Sequence, residues 1–190
     1  LYRHLEAKNG LVFVNKDNPI LFKHAEMLNN CTYGKSDNCR IIASTIEANP
    51  TVKIIWRKQN NDFNQEVNSR LIGEYNWENI LAAITIADYF QIMPDFIKQA
   101  IENYIPVNHR SQWLNIGSNN ILMDAYNANP TSMQLALNNF FNLPFQNKSV
   151  ILGDMRELGA YAETEHQVLL DILKNKPLET IILVGEIFSK

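Results

Sequence analysis

The chain has 190 residues, 46% apolar and 19% charged, with a formal net charge of −3 and a pI near 5.8. That is ordinary for a globular protein of one or two domains and argues against a general nucleic-acid-binding surface. No apolar run approaches the ~20 residues of a membrane span, and no secretory leader is evident. Cys31 and Cys39, in CTYGKSDNC without a CxxC, read as reduced thiols. The expectation is a soluble cytoplasmic protein that neither binds nucleic acid nor enters a membrane. Leu1-Tyr-Arg-His-Leu-Glu reads as a helix entered midway, so the chain is expected to be a piece of something longer.

In chain order, Leu1–Lys8 has helical spacing and stops at Asn9-Gly10. Leu11–Val14 is a short continuous apolar run of the kind buried in a parallel sheet. Asn15–Pro19 is a loop, and Ile20–Leu28 the next helix. Cys31–Tyr33, Arg40–Ala48 and Val52–Arg57 read as strands, with a turn at Asn49-Pro50. Gln59–Asn64 is a polar loop, and Glu66–Ile72 alternates like a strand and ends at Gly73. The spacing of Ile80, Leu81, Ala83, Ile84, Ala87 and Phe90 predicts an amphipathic helix over Trp77–Phe90. Pro94–Tyr104 is a shorter helix, and Pro106 closes this half.

The second half opens on a polar knot, Asn108-His-Arg-Ser-Gln112. Trp113–Ile116 and Ile121–Met123 flank a GSNN turn, which predicts a hairpin or tight strand pair. Asp124-Ala-Tyr-Asn-Ala-Asn-Pro-Thr-Ser-Met133 then leads from strand to helix, with Asn129 or Thr131 as cap and Pro130 in the first turn. In an open α/β sheet such a junction faces the ligand crevice. Lys148–Leu152 is a strand, Gly153–Gly159 a loop, Glu163–Leu173 a helix and Glu179–Val184 a strand, and Gly185 opens a last helix running to Lys190. The alternation implies a doubly wound α/β sheet, with the domain break near Tyr104–Asn108.

Three constellations can carry chemistry, and each has a structural alternative. Asn76 and Asn79 can donate and accept at once, as an adenine edge requires; otherwise Asn76 caps a helix and Asn79 is simply exposed, and residue physics alone favours that. Arg110 offers a charge-assisted fork to phosphate, and Asp124 can accept from two ribose hydroxyls; the alternative is a salt bridge and an Asx turn. Gly153-Asp-Met-Arg-Glu-Leu-Gly159 with His166 places Asp154 or Glu157 where either can orient a substrate. A lone helical His, however, is more often packed or exposed than ligating. Tyr126 and Trp113 read first as packing residues. No GxxxxGK[ST], GxGxxG, GxSxG or His/Cys metal spacing is present.

Together NHRSQ, DAYNANPTSM, ILGDMRELG with His166, and LIGEYNWENILAA resemble the Mur ligase family across nearly the whole chain, in the family's order; Tyr75 stands where relatives often carry His. The resemblance implies an α/β fold: the later part of a central ATPase domain over 1–106, then a Rossmann-like carboxyl-terminal domain, also partial, over 107–190. It implies the branch that adds D-alanyl-D-alanine to UDP-N-acetylmuramoyl-tripeptide through an acyl phosphate, as a monomeric cytoplasmic enzyme of cell-wall precursor synthesis. ATP and Mg2+ are the implied cofactors. The UDP-sugar domain, the phosphate loop and the magnesium ligands are expected outside this stretch, so it should be inactive alone. Asn76 and Asn79 would lie at the adenine, Arg110 at the ribose and phosphate, and Asp124 at the ribose. Tyr126, Asn127 and Asn129 would form the cleft wall, with Asp154, Glu157 and His166 on the substrate side. The rival readings are a folylpolyglutamate-synthase-like ligase, which DAYNANPTSM fits poorly, and a non-catalytic α/β binding module.

Overall fold

The computed structural model describes residues 1–48, 50–61, 64–107 and 109–189. Asn49 of the expected turn, Asp62 and Phe63 of the polar loop, Asn108 of the polar knot and Lys190 of the last helix lie outside the described residues. The chain forms two compact units, Leu1–Ile105 and Pro106–Lys190.

The first unit carries α1 (Tyr2–Ala7), β1 (Val12–Asn15), α2 (Pro19–Ala25), β2 (Asn30–Gly34), β3 (Ile41–Ala48), β4 (Thr51–Lys58), β5 (Gln65–Ile72), α3 (Asn76–Tyr89) and α4 (Pro94–Asn103). Its five strands lie in chain order in one sheet. The pairs β1–β2 and β2–β3 are parallel, while β3–β4 and β4–β5 are antiparallel. Period-two alternation sets the buried face, as Val52, Ile54 and Trp56 of β4 point inward. They pack with Trp77, Ile80, Leu81 and Ile84 of α3. Each such side chain contributes about 1.5–3 kcal/mol when fully buried.

The expected stripe of α3 needs correcting at two positions. Ala83 is exposed and Phe90 is 67% exposed, while Thr85 and Asp88 are buried instead. Polar groups can occupy that face because each is satisfied. The Thr85 hydroxyl donates to the Leu81 carbonyl at 2.7 Å. The Asp88 carboxylate accepts from Arg40 Nε and Nη2 at 3.2 and 3.1 Å and pairs also with Lys58.

The second unit carries β6 (Gln112–Ile116), β7 (Asn119–Met123), α5 (Pro130–Asn142), β8 (Lys148–Gly153), a 3₁₀ turn (Gly159–Tyr161), α6 (Ala162–Lys174) and β9 (Leu178–Val184). The hairpin forms as expected, with β6 and β7 antiparallel around Gly117-Ser118. Gly117 turns it with φ +60°, a region open to glycine at no steric cost. The pair makes its own two-stranded sheet, separate from β8 and β9. Asp124 therefore follows an antiparallel hairpin strand, not a strand of the parallel sheet, and the crevice argument does not reach it. β8 and β9 are parallel, with α6 between them in sequence. Leu137 of α5, Leu169 and Leu173 of α6, and Val150, Leu152 and Met155 make the core. Lys148 closes the carboxyl end of α5 by donating to the Phe141 and Leu143 carbonyls at 2.6 and 2.8 Å. The segment after Gly185 forms turns over 186–189 where a helix is expected.

Candidate functional site

In the first unit the Gly73–Tyr75 turn feeds α3 through Asn76. Its Nδ2 donates to the Ile72 carbonyl at 2.8 Å, and its Oδ1 accepts from Asn79 Nδ2 at 3.1 Å. Asn76 is therefore not a helix cap: the cap position is Tyr75, which makes no side-chain cap bond. Asn76 instead ties the turn to the helix. It is buried, whereas Asn79 is exposed. The same turn supplies Glu74 to an open cavity of about 480 Å³, lined also by Lys35, Asp37, Ser44 and Arg57. Arg57 is held there by Asp37 at 2.7 Å.

In the second unit His109 and Ser111 of the polar knot dock on the residues after β7. The Ala125 N–H donates to the His109 carbonyl at 2.8 Å, and the Ser111 N–H donates to Asp124 Oδ1 at 3.3 Å. His109 and Ser111 both have left-handed backbone, with φ of +56° and +48°. A left-handed residue on each side of Arg110 is uncommon away from glycine and marks a loop held by its contacts. Arg110 is exposed, and its guanidinium carbon lies 3.7 Å from the centroid of the Tyr126 ring. Tyr126 is 61% exposed, so it is a stacking surface and not the packing residue expected of it. Trp113 does pack, tilted against Phe145 with centroids 5.5 Å apart.

The remaining asparagines of this loop serve the backbone. Asn127 Oδ1 accepts from the Ala128 N–H at 3.0 Å. Asn129 is the cap of α5 and makes a reciprocal box with Ser132. Its Oδ1 accepts from Ser132 N–H at 2.9 Å, and its own N–H donates to the Ser132 hydroxyl at 3.2 Å.

Asp154 and His166 come together after β8, while Glu157 stands apart. The Asp154 carboxylate accepts from the Ile187 and Phe188 N–H groups at 3.0 and 3.1 Å. Those bonds, Ile187's foremost, hold its pKa below the ordinary carboxylate value against the opposing effect of desolvation. Gly185 has φ +136°, and a Cβ there would collide with the Asp154 carboxyl. His166 is buried, 3.6 Å from Asp154 Oδ1 through Nε2. Its Nε2 accepts from the Met155 N–H at 3.0 Å, so its Nδ1 carries the proton donated to the Ala162 carbonyl at 2.7 Å. Glu157 is exposed and left-handed, with φ +65°.

Two residues important to this geometry escaped sequence reasoning. Ser111 holds Asp124 through its backbone, which no side-chain pattern signals. Ser132 is visible in hindsight as the N3 partner of Asn129. Chemically, exposed Arg110 suits a phosphate oxygen. Asp124 retains Oδ2, which has no hydrogen bond among the described residues, and a carboxylate oxygen suits a ribose hydroxyl. The exposed Asn79 suits a base edge. These side chains fit parts of a nucleotide. No group of three or more His, Cys, Asp or Glu side chains suited to a metal gathers among the described residues, so they do not fit a magnesium site.

Comparison with known proteins decides the family. Residues 1–87 match the Mur ligase middle domain, and residues 109–189 match the Mur ligase glutamate ligase domain. The chain belongs to the Mur ligase family. Among the relatives of this Mur ligase chain is the UDP-N-acetylmuramoyl-tripeptide–D-alanyl-D-alanine ligase of Bacillus subtilis. It is 30% identical over 119 residues, 62% of this chain and 26% of the relative. The enzyme of that name from Buchnera aphidicola is 28% identical over 185 residues, 95% of this chain and 40% of the relative. A crystal structure of MurF from Acinetobacter baumannii superposes with a TM-score of 0.79 at 25% identity, covering 99% of this chain and 41% of that one. The chain thus spans between 26% and 41% of the length of these relatives.

Proposed function

We propose that this chain is part of an ATP-dependent ligase that joins D-alanyl-D-alanine to UDP-N-acetylmuramoyl-tripeptide in peptidoglycan precursor synthesis. The names of the relatives support that pair of substrates. The observation that carries the nucleotide half of the reading is the docked loop of the second unit: Arg110 lies exposed on Tyr126, and the adjacent Ser111 N–H holds Asp124. In this reading Asn76 and Asn79 serve the adenine side, Arg110 the phosphate and Asp124 the ribose hydroxyls. Tyr126, Asn127 and Asn129 shape the wall, and residues 1–106 and 107–190 are parts of the central and carboxyl-terminal domains.

ATP transfers its terminal phosphoryl group to the tripeptide carboxylate, releasing ADP and leaving an acyl phosphate; the amine of D-alanyl-D-alanine then attacks the acyl carbon, loses a proton and expels inorganic phosphate as the amide forms. Catalysis of this kind is mostly positioning and charge neutralisation. This chain's share is to bind and orient the nucleoside and one phosphate. Asp154 and His166 fix the loop after β8, and Glu157 is an exposed group there that remains available to a substrate.

The test is phosphate release from ATP by protein made from the intact reading frame. Release that requires both UDP-N-acetylmuramoyl-tripeptide and D-alanyl-D-alanine supports the reading. Release with a folate and glutamate instead, or with no acceptor pair at all, contradicts it.

A further inference from the structure

An open cavity of about 480 Å³ lies between the loop after β2, the β3–β4 pair and the turn before α3, a volume usual for a small-molecule site. Its walls are fixed by their own hydrogen bonds. The Asp17 carboxylate accepts from the Lys35 N–H at 2.7 Å and from the Ser36 hydroxyl at 3.2 Å. The Cys39 N–H donates to the Ser36 carbonyl at 3.0 Å, and Cys39 is fully buried, which anchors the far end of that loop. In β3, Ala43 pairs with Trp56 and Thr45 with Ile55, which leaves Ser44 as a bulge in the wall.

The polar groups around the cavity sort by chemistry. The Lys35 ammonium rests over the Trp77 ring, 4.7 Å from its centroid, and has no hydrogen bond or ion pair among the described residues. Arg57 pairs with Asp37 at 2.7 Å, but the Asp37 side chain is 89% exposed and that of Arg57 only 24%. A pair so open to water contributes little, and Asp37 is readily exchanged for another carboxylate. Lys35 and Arg57 can only donate. The Ser44 hydroxyl commits its proton to the Ile55 carbonyl at 3.1 Å, so toward a ligand it can only accept, as can the Glu74 carboxylate. Buried Ile42 and Ala43 complete the lining with apolar surface. A bare anion would meet Asp37 and Glu74, and a bare cation would meet Lys35 and Arg57; like charges so placed repel. A ligand with one charge of each sign pairs with both sets.

We propose that this cavity binds a free α-amino acid with an apolar side chain, its carboxylate at Lys35 and Arg57 and its ammonium at Glu74 and Ser44. The site uses none of the residues assigned to the nucleotide.

The experiment titrates the backbone amide NMR signals of the 190-residue chain with L-leucine, with isocaproate, which is leucine without the amine, and with isoamylamine, which is leucine without the carboxylate. Leucine is expected to move the Ser36, Ser44, Arg57 and Glu74 amides, with a dissociation constant on the order of 1 mM. Each analogue should bind about tenfold or more weakly, having lost one charge-assisted contact. Glu74→Gln should weaken leucine about tenfold without weakening isocaproate. Lys35→Met should weaken leucine and isocaproate alike and spare isoamylamine. Both substituted residues are exposed, so loss of the fold does not confound the comparison. Isocaproate or isoamylamine binding as tightly as leucine would make this a site for a bare anion or a bare cation and overturn the proposal. Leucine that moves none of the four amides overturns it too. So does displacement of leucine by excess ADP, which would make the cavity part of the nucleotide site.

Discussion

The Nε2 of His166 accepts the backbone N–H of Met155 at 3.0 Å, and so fastens the loop after β8 to the helix α6 that follows it. Met155 is itself fully buried among Leu137, Leu152 and Leu169. The bond thus joins a polar anchor to the hydrophobic core of the second unit. Replacing His166 with Phe keeps the bulk against Phe188 but strands the Met155 N–H. The expected loss is about 1–3 kcal/mol, the desolvation penalty of a buried unpaired donor. Urea unfolding measures it, and an unchanged midpoint would show that the anchor carries no weight.

Asp154 sets an acid limit on the same unit. The Ile187 and Phe188 N–H groups bond its ionised form and hold its folded pKa below the ordinary value. The stabilisation is therefore full above an unfolded pKa of about 3.9 and fades as pH falls through the lower folded value. The urea midpoint of Asp154→Asn should lie below the parent's at neutral pH and meet it in acid. A gap that stays constant across that range would mean that the carboxylate charge is not what holds the 186–189 turn.

Asp88 predicts an asymmetry in the first unit. Its side chain is 3% exposed, whereas those of Arg40 and Lys58 are 50% and 43% exposed. Removing Asp88 leaves two cations that water can reach. Removing both cations leaves a buried carboxylate without either counter-charge, which costs about 3–5 kcal/mol for a broken buried pair. Asp88→Leu should therefore destabilise less than the Arg40→Met/Lys58→Met double variant. Thermal unfolding of the two variants checks this, and the reverse order would contradict it.

Asn129→Ala removes one side of the reciprocal cap of α5. A loss of about 1 kcal/mol is expected, with helicity lost first at 130–133. Hydrogen exchange of the Ser132 and Met133 amides reports it directly, and unchanged protection there would rule the cap out as a contributor.

Local chemistry made much of the fold legible. The hairpin around Gly117-Ser118, the Asn129 cap with Pro130 behind it, and the alternation of β4 are all settled by neighbours within a few residues. What could not be read depends on distant partners. Asp88 is buried because Arg40 and Lys58, 48 and 30 positions away, meet it across the sheet; a helical stripe analysis sees only an acidic residue and places Phe90 inward instead. The separation of β6–β7 from β8–β9 is likewise a pairing choice that no single strand announces. At the site, residue types pointed to Asn76, Asn79, Arg110 and Asp124, and the exposure of Asn79 was legible, but spacing could not reveal that Asn76 bonds inward to the Ile72 carbonyl and does not cap the helix. Nor could it show that Tyr126 lies open beneath Arg110, since an aromatic after a strand reads equally well as core.

The central claim is that the adenosine-side contacts of a ligase reside in this chain. Calorimetry with ADP, on the parent and on an Arg110→Ala/Asp124→Ala double variant, tests it most directly. The account predicts weak binding by the parent, on the order of 1 mM or about −4 kcal/mol, and none measurable by the variant. Equal binding by both, or none by the parent, would contradict it.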